Sequence, residues 1–151
     1  MKISIVTTAL NESDNISDFM GLIASLRKLF EQDFQVVFVD NGSSDSTQSL
    51  LEHFTALDRD LHLVTNSVGS LYADGIEAAL KNSSTDYNLL VPSDMQFSLS
   101  DIEKVLVAFS RITRGGTDRH HFIFTQRVVR NDGQYNKWRG NLWRSLVTSL
   151  F

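Results

Sequence analysis

The apolar segment Phe34-Gln35-Val36-Val37-Phe38-Val39 stops on Asp40, and the nine residues that follow, Asn41–Ser49, hold no large apolar side chain. That junction constrains the fold more than any other stretch. An apolar run without clean alternation suits a strand covered on both faces. Asp40 then marks its exit at the rim of a sheet. Ile3–Thr7 reads as an earlier strand running into TALNES. Leu61–Thr65 is a weaker third, Asn88–Val91 a short fourth that meets PSDMQF, and Phe122–Thr125 a fifth.

Helical periodicity fills the gaps. Ile16, Phe19, Met20, Ile23, Leu26 and Phe30 recur at three- and four-residue spacing, and Leu29 widens the stripe. Leu50, Leu51, Phe54 and Leu57 repeat the pattern, as do Leu71, Tyr72, Ile76, Ala79 and Leu80. Ser100 with Glu103 reads as a capping box, opening a helix with Ile102, Val105, Leu106 and Phe109 inward. Residues 134–151 read as an amphipathic helix. Strands alternating with helices imply an α/β fold with a mostly parallel sheet. Sites in such sheets form beyond the carboxyl ends of the strands.

A chain of 151 residues is expected to form one domain, residues 1–151. Its net charge of -4 speaks against a nucleic-acid partner. With no cysteine, disulfides, thiolate catalysis and Cys-ligated zinc are excluded. The four histidines have no recognised metal spacing. The start, MKISIVTTALNES, lacks the pattern of a signal peptide. No run approaches the roughly 20 apolar residues of a membrane span. The expected location is cytoplasmic, including the cytoplasmic face of a membrane.

Four loops carry candidate chemistry. In VDNGSSDST, Asp40 is placed to accept a hydrogen bond from a nucleobase N–H. Asn41 and Gly42 allow a sharp reversal. Ser43, Ser44 or Asp45 caps the next helix, and Asp45 can also order the loop. In TTALNES, Thr8, Ala9 and Leu10 would line a base and ribose pocket. Glu12 would bond ribose hydroxyls, and Asn11 or Ser13 would cap the first helix. In NSVGSLYADG, Gly69 permits close approach of backbone or ligand, and Gly75 inside a helix suggests close packing. In LLVPSDMQF, Asp94 is placed to hold a hard divalent cation and through it a diphosphate. Gln96 would orient Asp94 or a sugar hydroxyl.

The order SIVTTALNES, VVFVDNGSSDST, TNSVGSLYADGIEAAL, NLLVPSDMQFSLSDI and FTQRVVRNDGQYNKWRGNLWRSLVTSLF resembles family-2 glycosyltransferases of the GT-A fold. The nearest subgroup in appearance is the polyprenyl-phosphate glycosyltransferases, such as dolichol-phosphate mannose synthase. The resemblance implies inverting transfer from a nucleotide-diphosphate sugar to polyprenyl phosphate or a saccharide. It implies Mg2+ or Mn2+ at Asp94, the second acid of an Asp-any-Asp motif, with Gln96 following it. It places Asp40 at the base and Glu12 at the ribose. Arg127 corresponds to the Arg after the later strand, and Arg130 with Asp132 to an Arg-any-Asp element facing phosphate.

Two departures qualify the likeness. Pro92 replaces the first acid, so the cation is expected to bind weakly or with the donor. The family domain also continues beyond position 151, so the chain is expected to be a donor-binding part or a shortened relative. A nucleotide-sugar-binding module without turnover is the alternative. A nucleotidyltransferase ranks below both, because no glycine-rich basic loop follows the first strand. Trp138, Trp143 and the apolar residues around them suggest a core, oligomer or membrane contact through residues 138–151.

Overall fold

The computed structural model describes residues 3–31 and 34–113. The expected strand Phe122–Thr125, Arg127, Arg130, Asp132 and the helix over 134–151 lie outside them. The described elements alternate: β1 (Ile3–Ala9), α1 (Ser13–Phe30), β2 (Gln35–Asp40), α2 (Thr47–Leu57), β3 (Leu61–Thr65), α3 (Tyr72–Lys81), β4 (Tyr87–Leu90) and α4 (Leu99–Thr113). The four strands form one parallel sheet in the order β3-β2-β1-β4. This is the α/β architecture expected from the alternation.

Coverage of the sheet differs from strand to strand. Every residue of β1 is buried, as are Val36–Asp40 of β2. The outer strands are less covered: β3 buries only Leu61, and on β4 Asn88 and Leu90 are exposed. The expectation of a sheet covered on both faces therefore holds for the two central strands and not for the outer pair. α1 buries Ile16, Phe19, Met20, Leu22, Ile23 and Leu26. The Phe19 ring meets Phe38 of β2 edge-on, with centroids 5.4 Å apart. The stripe widens on Leu22, whereas Leu29, in the last turn, is 49% exposed. α1 ends on Glu31 in the left-handed region, whose N–H bonds Arg27 O. The Arg27 guanidinium then ties Asp58 to the Phe34 carbonyl, joining the ends of α1 and α2 to the entry of β2.

Two further helices bury less than their periodicity suggests. On α2, Leu51 is buried while Leu57 is exposed. On α3 the buried residues are Gly75 and Ala79, and Leu71, Tyr72 and Leu80 are exposed. The cause on α3 is close approach. A Cβ at Gly75 would lie 2.4 Å from Thr8 Oγ1, so the helix sits on β1 through a glycine rather than through leucines. The start of α4 also moves. Ser98 N–H donates to Asp101 Oδ2 at 3.0 Å, and Asp101 N–H returns to Ser98 Oγ at 3.3 Å. The reciprocal pair is thus Ser98 and Asp101, two residues before the expected Ser100 and Glu103. Ile102, Leu106 and Phe109 of α4 are buried, as expected, and Val105 is half-buried. No helix among the described residues is long and apolar enough to cross a membrane.

Candidate functional site

Parallel register brings the strand exits into line. Ala9 lies opposite Asp40, and Asp40 opposite Thr65. From β1 the chain proceeds outward through β2 and β3, then returns to place β4 on the other side of β1. The direction of winding therefore switches between β1 and β4. A crevice is expected at the carboxyl ends of strands flanking such a switch. A cleft of about 280 Å³ lies there, lined by Thr8 and Ala9 at the end of β1, by Leu10 and Glu12 just beyond it, and by Pro92, Ser93 and Asp94 after β4. Asn41, Ser70 and Tyr72 complete it.

The loops after β1 and β2 lock into each other. Asn11 adopts φ +55°, a left-handed conformation that Asn tolerates. Its N–H donates to Ser43 Oγ at 2.9 Å, and its Oδ1 accepts from Ser44 N–H at 2.8 Å. Glu12 N–H donates to Thr47 Oγ1 at 2.9 Å. Asp45 accepts from Thr47 N–H at 2.9 Å and from Ser13 N–H at 3.2 Å. One carboxylate thus serves the amino ends of both α1 and α2. Hydrogen bonding from Thr47, then from Ser13, holds the Asp45 carboxyl down to about 2. Of the three capping candidates for α2, Asp45 takes the role. It also displaces Asn11 and Ser13 as the cap of α1.

Asp40 is fully buried. Its Oδ1 accepts from Ser43 N–H at 3.1 Å, and its Oδ2 is buried without a partner among the described residues. It does not line the cleft; its neighbour Asn41 does. The Asn41 amide donates to the carbonyls of Ser70, at 3.1 Å, and Leu71, at 2.9 Å, while Oδ1 accepts from Asn66 at 2.9 Å. Gly42, at φ +84°, leaves room for the same incoming loop, since a Cβ there would stand 2.6 Å from Val68 Cα. The sequence suggested only a reversal at these two residues. Their larger task is to seat the β3–α3 loop. Nothing within the segment itself signals that task, because the partners lie 25 to 30 residues away.

Gly69 adopts φ +88° in the turn closed by Ser70 N–H to Ser67 O at 3.2 Å. No atom of the described residues lies within 4 Å of where its Cβ would stand, so no backbone among them approaches it closely, and it does not line the cleft. The turn requires its glycine.

After β4, Ser93 Oγ donates to Thr8 O at 3.0 Å and pins the loop to β1. Met95 holds φ +55°, a conformation that costs a non-glycine residue roughly 1 kcal/mol. Gln96 follows, and both its backbone N–H and its side-chain amide donate to Asp94. Gln96 thereby orients Asp94 and does not itself line the cleft. Across the cleft stands Tyr72, which the periodicity had assigned to an apolar stripe. Burial, and then the negative charge of Asp94, raise its phenol above the ordinary value of 10.0. Thr8, Leu10, Glu12 and Asp94 are thus brought together, and Tyr72 and Asn41 join them. Among the described residues no group of three or more His, Cys, Asp or Glu is placed to hold a metal ion.

Over 149 residues the chain is 21% identical to an undecaprenyl-phosphate 4-deoxy-4-formamido-L-arabinose transferase of Proteus mirabilis, covering 97% of this chain and 43% of that protein. The Yersinia pestis (strain Pestoides F) protein of the same name is 26% identical over 148 residues, with the same coverage of 97% and 43%. The chain therefore spans less than half the length of these relatives. Among solved structures, S. aureus TarS 1-349 superposes with a TM-score of 0.55 at 22% identity, over 74% of this chain and 33% of that one. The mannosyltransferase PcManGT from Pyrobaculum calidifontis, in complex with GDP-Man and Mn2+, gives 0.52 at 22% identity, over 62% and 27%. These likenesses establish a shared fold, the GT-A type anticipated from the loop motifs. Residues 4–149 match Glycosyl transferase family 2, and the chain belongs to that family.

Proposed function

We propose that the chain forms the donor-binding part of an inverting glycosyltransferase acting on a nucleotide-diphosphate sugar. The observation that carries this reading is the cleft at the β1/β4 switch, flanked by Thr8–Glu12 and Asp94. Asp40, whose Oδ2 has no partner among the described residues, would accept from the base. Thr8 and Leu10 would line the base and ribose pocket, and Glu12 would bond ribose hydroxyls. Asp94, held by Gln96, would stand where the diphosphate leaves. Arg127 and Arg130 would face phosphate, and Gly69 would shape the loop that carries Ser70 into the cleft. The name of PcManGT, bound to GDP-Man and Mn2+, supports a nucleotide-sugar donor with a divalent cation.

The fit of that cation to this chain is partial. Pro92 offers no side-chain ligand, and Asp94 is the one carboxylate that the β4 loop brings to a cleft without a three-ligand group among the described residues. Mg2+ or Mn2+ would accordingly enter with the donor, its coordination completed by diphosphate and water, with Asp94 as one protein ligand. Bound there, it would offset charge on the leaving diphosphate. The curated relatives are named as undecaprenyl-phosphate transferases, which supports a polyprenyl phosphate acceptor over a saccharide. Such an acceptor is anionic near neutral pH and needs little help from a general base. Action on it would place the protein at a membrane surface on the cytoplasmic side.

The test is calorimetric titration with UDP-glucose, GDP-mannose and related donors, with and without Mn2+. One donor class is expected to bind, and Asp40→Ala should weaken it about tenfold or more. Absence of binding across the panel by a folded sample overturns the reading. Pro92 favours a second one, a nucleotide-sugar-binding module. It predicts donor binding with no transfer to a polyprenyl phosphate.

A further inference from the structure

We propose that Tyr72 reads the transferred sugar, its phenol donating to a sugar hydroxyl that in turn donates a hydrogen bond to Asp94. This rests on the donor-site reading above. The first ground is an account of the donors that line the cleft. The Asn41 amide is spent on the carbonyls of Ser70 and Leu71. Ser70 Oγ donates to Ser67 O at 2.8 Å, and Ser93 Oγ to Thr8 O at 3.0 Å. Thr8 Oγ1 is turned under α3, 2.4 Å from where a Cβ on Gly75 would stand. Glu12 and Asp94 are acceptors when ionised. The Tyr72 phenol remains, and it has no hydrogen-bond partner among the described residues.

The second ground is charge. Among the described residues two carboxylates line the cleft, and no Lys, Arg or His does. A hydroxyl suits this lining, because it both donates and accepts and can pair with phenol and carboxylate at once, whereas a phosphate oxygen only accepts. Asp94 keeps the capacity for such a bond. Each of its oxygens accepts once from Gln96, and a carboxylate oxygen has a second lone pair. The carboxylate's charge already acts on the phenol across the cleft.

The third ground is placement. Leu71, just before Tyr72, is held at both polar groups, its carbonyl by Asn41 and its N–H by Asp74 Oδ2 at 2.7 Å. The ring that follows is 59% exposed, so its face is open to pack on the C–H face of a pyranose.

The experiment compares each sugar nucleotide with its parent diphosphate on the 151-residue chain at fixed Mn2+. The probes are UDP-glucose against UDP and GDP-mannose against GDP. Tyr72→Phe keeps the ring and removes only the hydroxyl. It is expected to weaken the bound sugar nucleotide about five- to tenfold while leaving the diphosphate within about twofold. A residue that merely supported the fold would weaken both alike. Equal losses, or no loss, overturn the proposal while the donor site stands. If the wild-type chain binds none of the four, the donor-site reading falls and the proposal falls with it.

Discussion

The two sides of the cleft are built differently. On the β1–β2 side, five hydrogen bonds cross between loops 32 to 35 residues apart in sequence, at Asn11, Glu12, Ser13, Ser43, Ser44, Asp45 and Thr47. On the β4 side, Asp94 accepts from Gln96, only two residues away. The first side is set by the fold before any ligand arrives, and its ordering cost is met during folding. The second is a carboxylate oriented from within its own loop, so its orientation draws on no partner distant in sequence that the described hydrogen bonds supply. A change such as Pro92 is tolerable on the second side for that reason. An equivalent change at Asp45 would loosen two helices.

The strongest test of this contrast is Gly42→Ala. The new Cβ meets backbone of the β3–α3 loop in a left-handed residue, so urea unfolding should register a loss of about 2–3 kcal/mol. A loss below about 0.5 kcal/mol would break the claim that this side is fixed by the fold.

A smaller effect is expected from acid. The folded Asp45 carboxyl, at about 2, lies below its ordinary 3.8, so it binds a proton less readily folded than unfolded. Its contribution is complete above about pH 4 and is lost as pH falls toward 2. Asp45→Asn should flatten that stretch of the melting-temperature profile. Because Asp45 is exposed, solvent screening keeps the change modest. Smallest is Gln96→Ala, which should leave stability within about 0.5 kcal/mol while weakening donor binding. If it unfolded the chain as Gly42→Ala does, the two sides would be alike after all.

Much of this fold was legible because its signals are local. Val36–Val39 running into Asp40 announced β2 and its exit, and the periodicity of Ile16 to Leu26 announced α1. The site was legible as positions, since Thr8, Leu10, Glu12 and Asp94 follow strand ends. What stayed hidden depends on partners distant in sequence. Asp45 caps α1 from another loop, and Asn41 grips a segment 29 to 30 residues on. Tyr72 was misread because helical spacing makes an aromatic residue look apolar when its turn faces a cleft. Leu57 and Leu80 were misread because a period fixes a stripe without saying how far the neighbouring surface extends.

The strand order has a consequence in time. β1 occupies the middle of the sheet, yet its neighbour β4 begins only at Tyr87, and Ser93 bonds Thr8 across 85 residues. During synthesis β1, β2 and β3 can associate while the flank that β4 will cover stays bare. Closing so long a loop is entropically slow. The cleft therefore comes into being with the arrival of β4, and a nascent chain with its first three strands paired still has only one of its two walls.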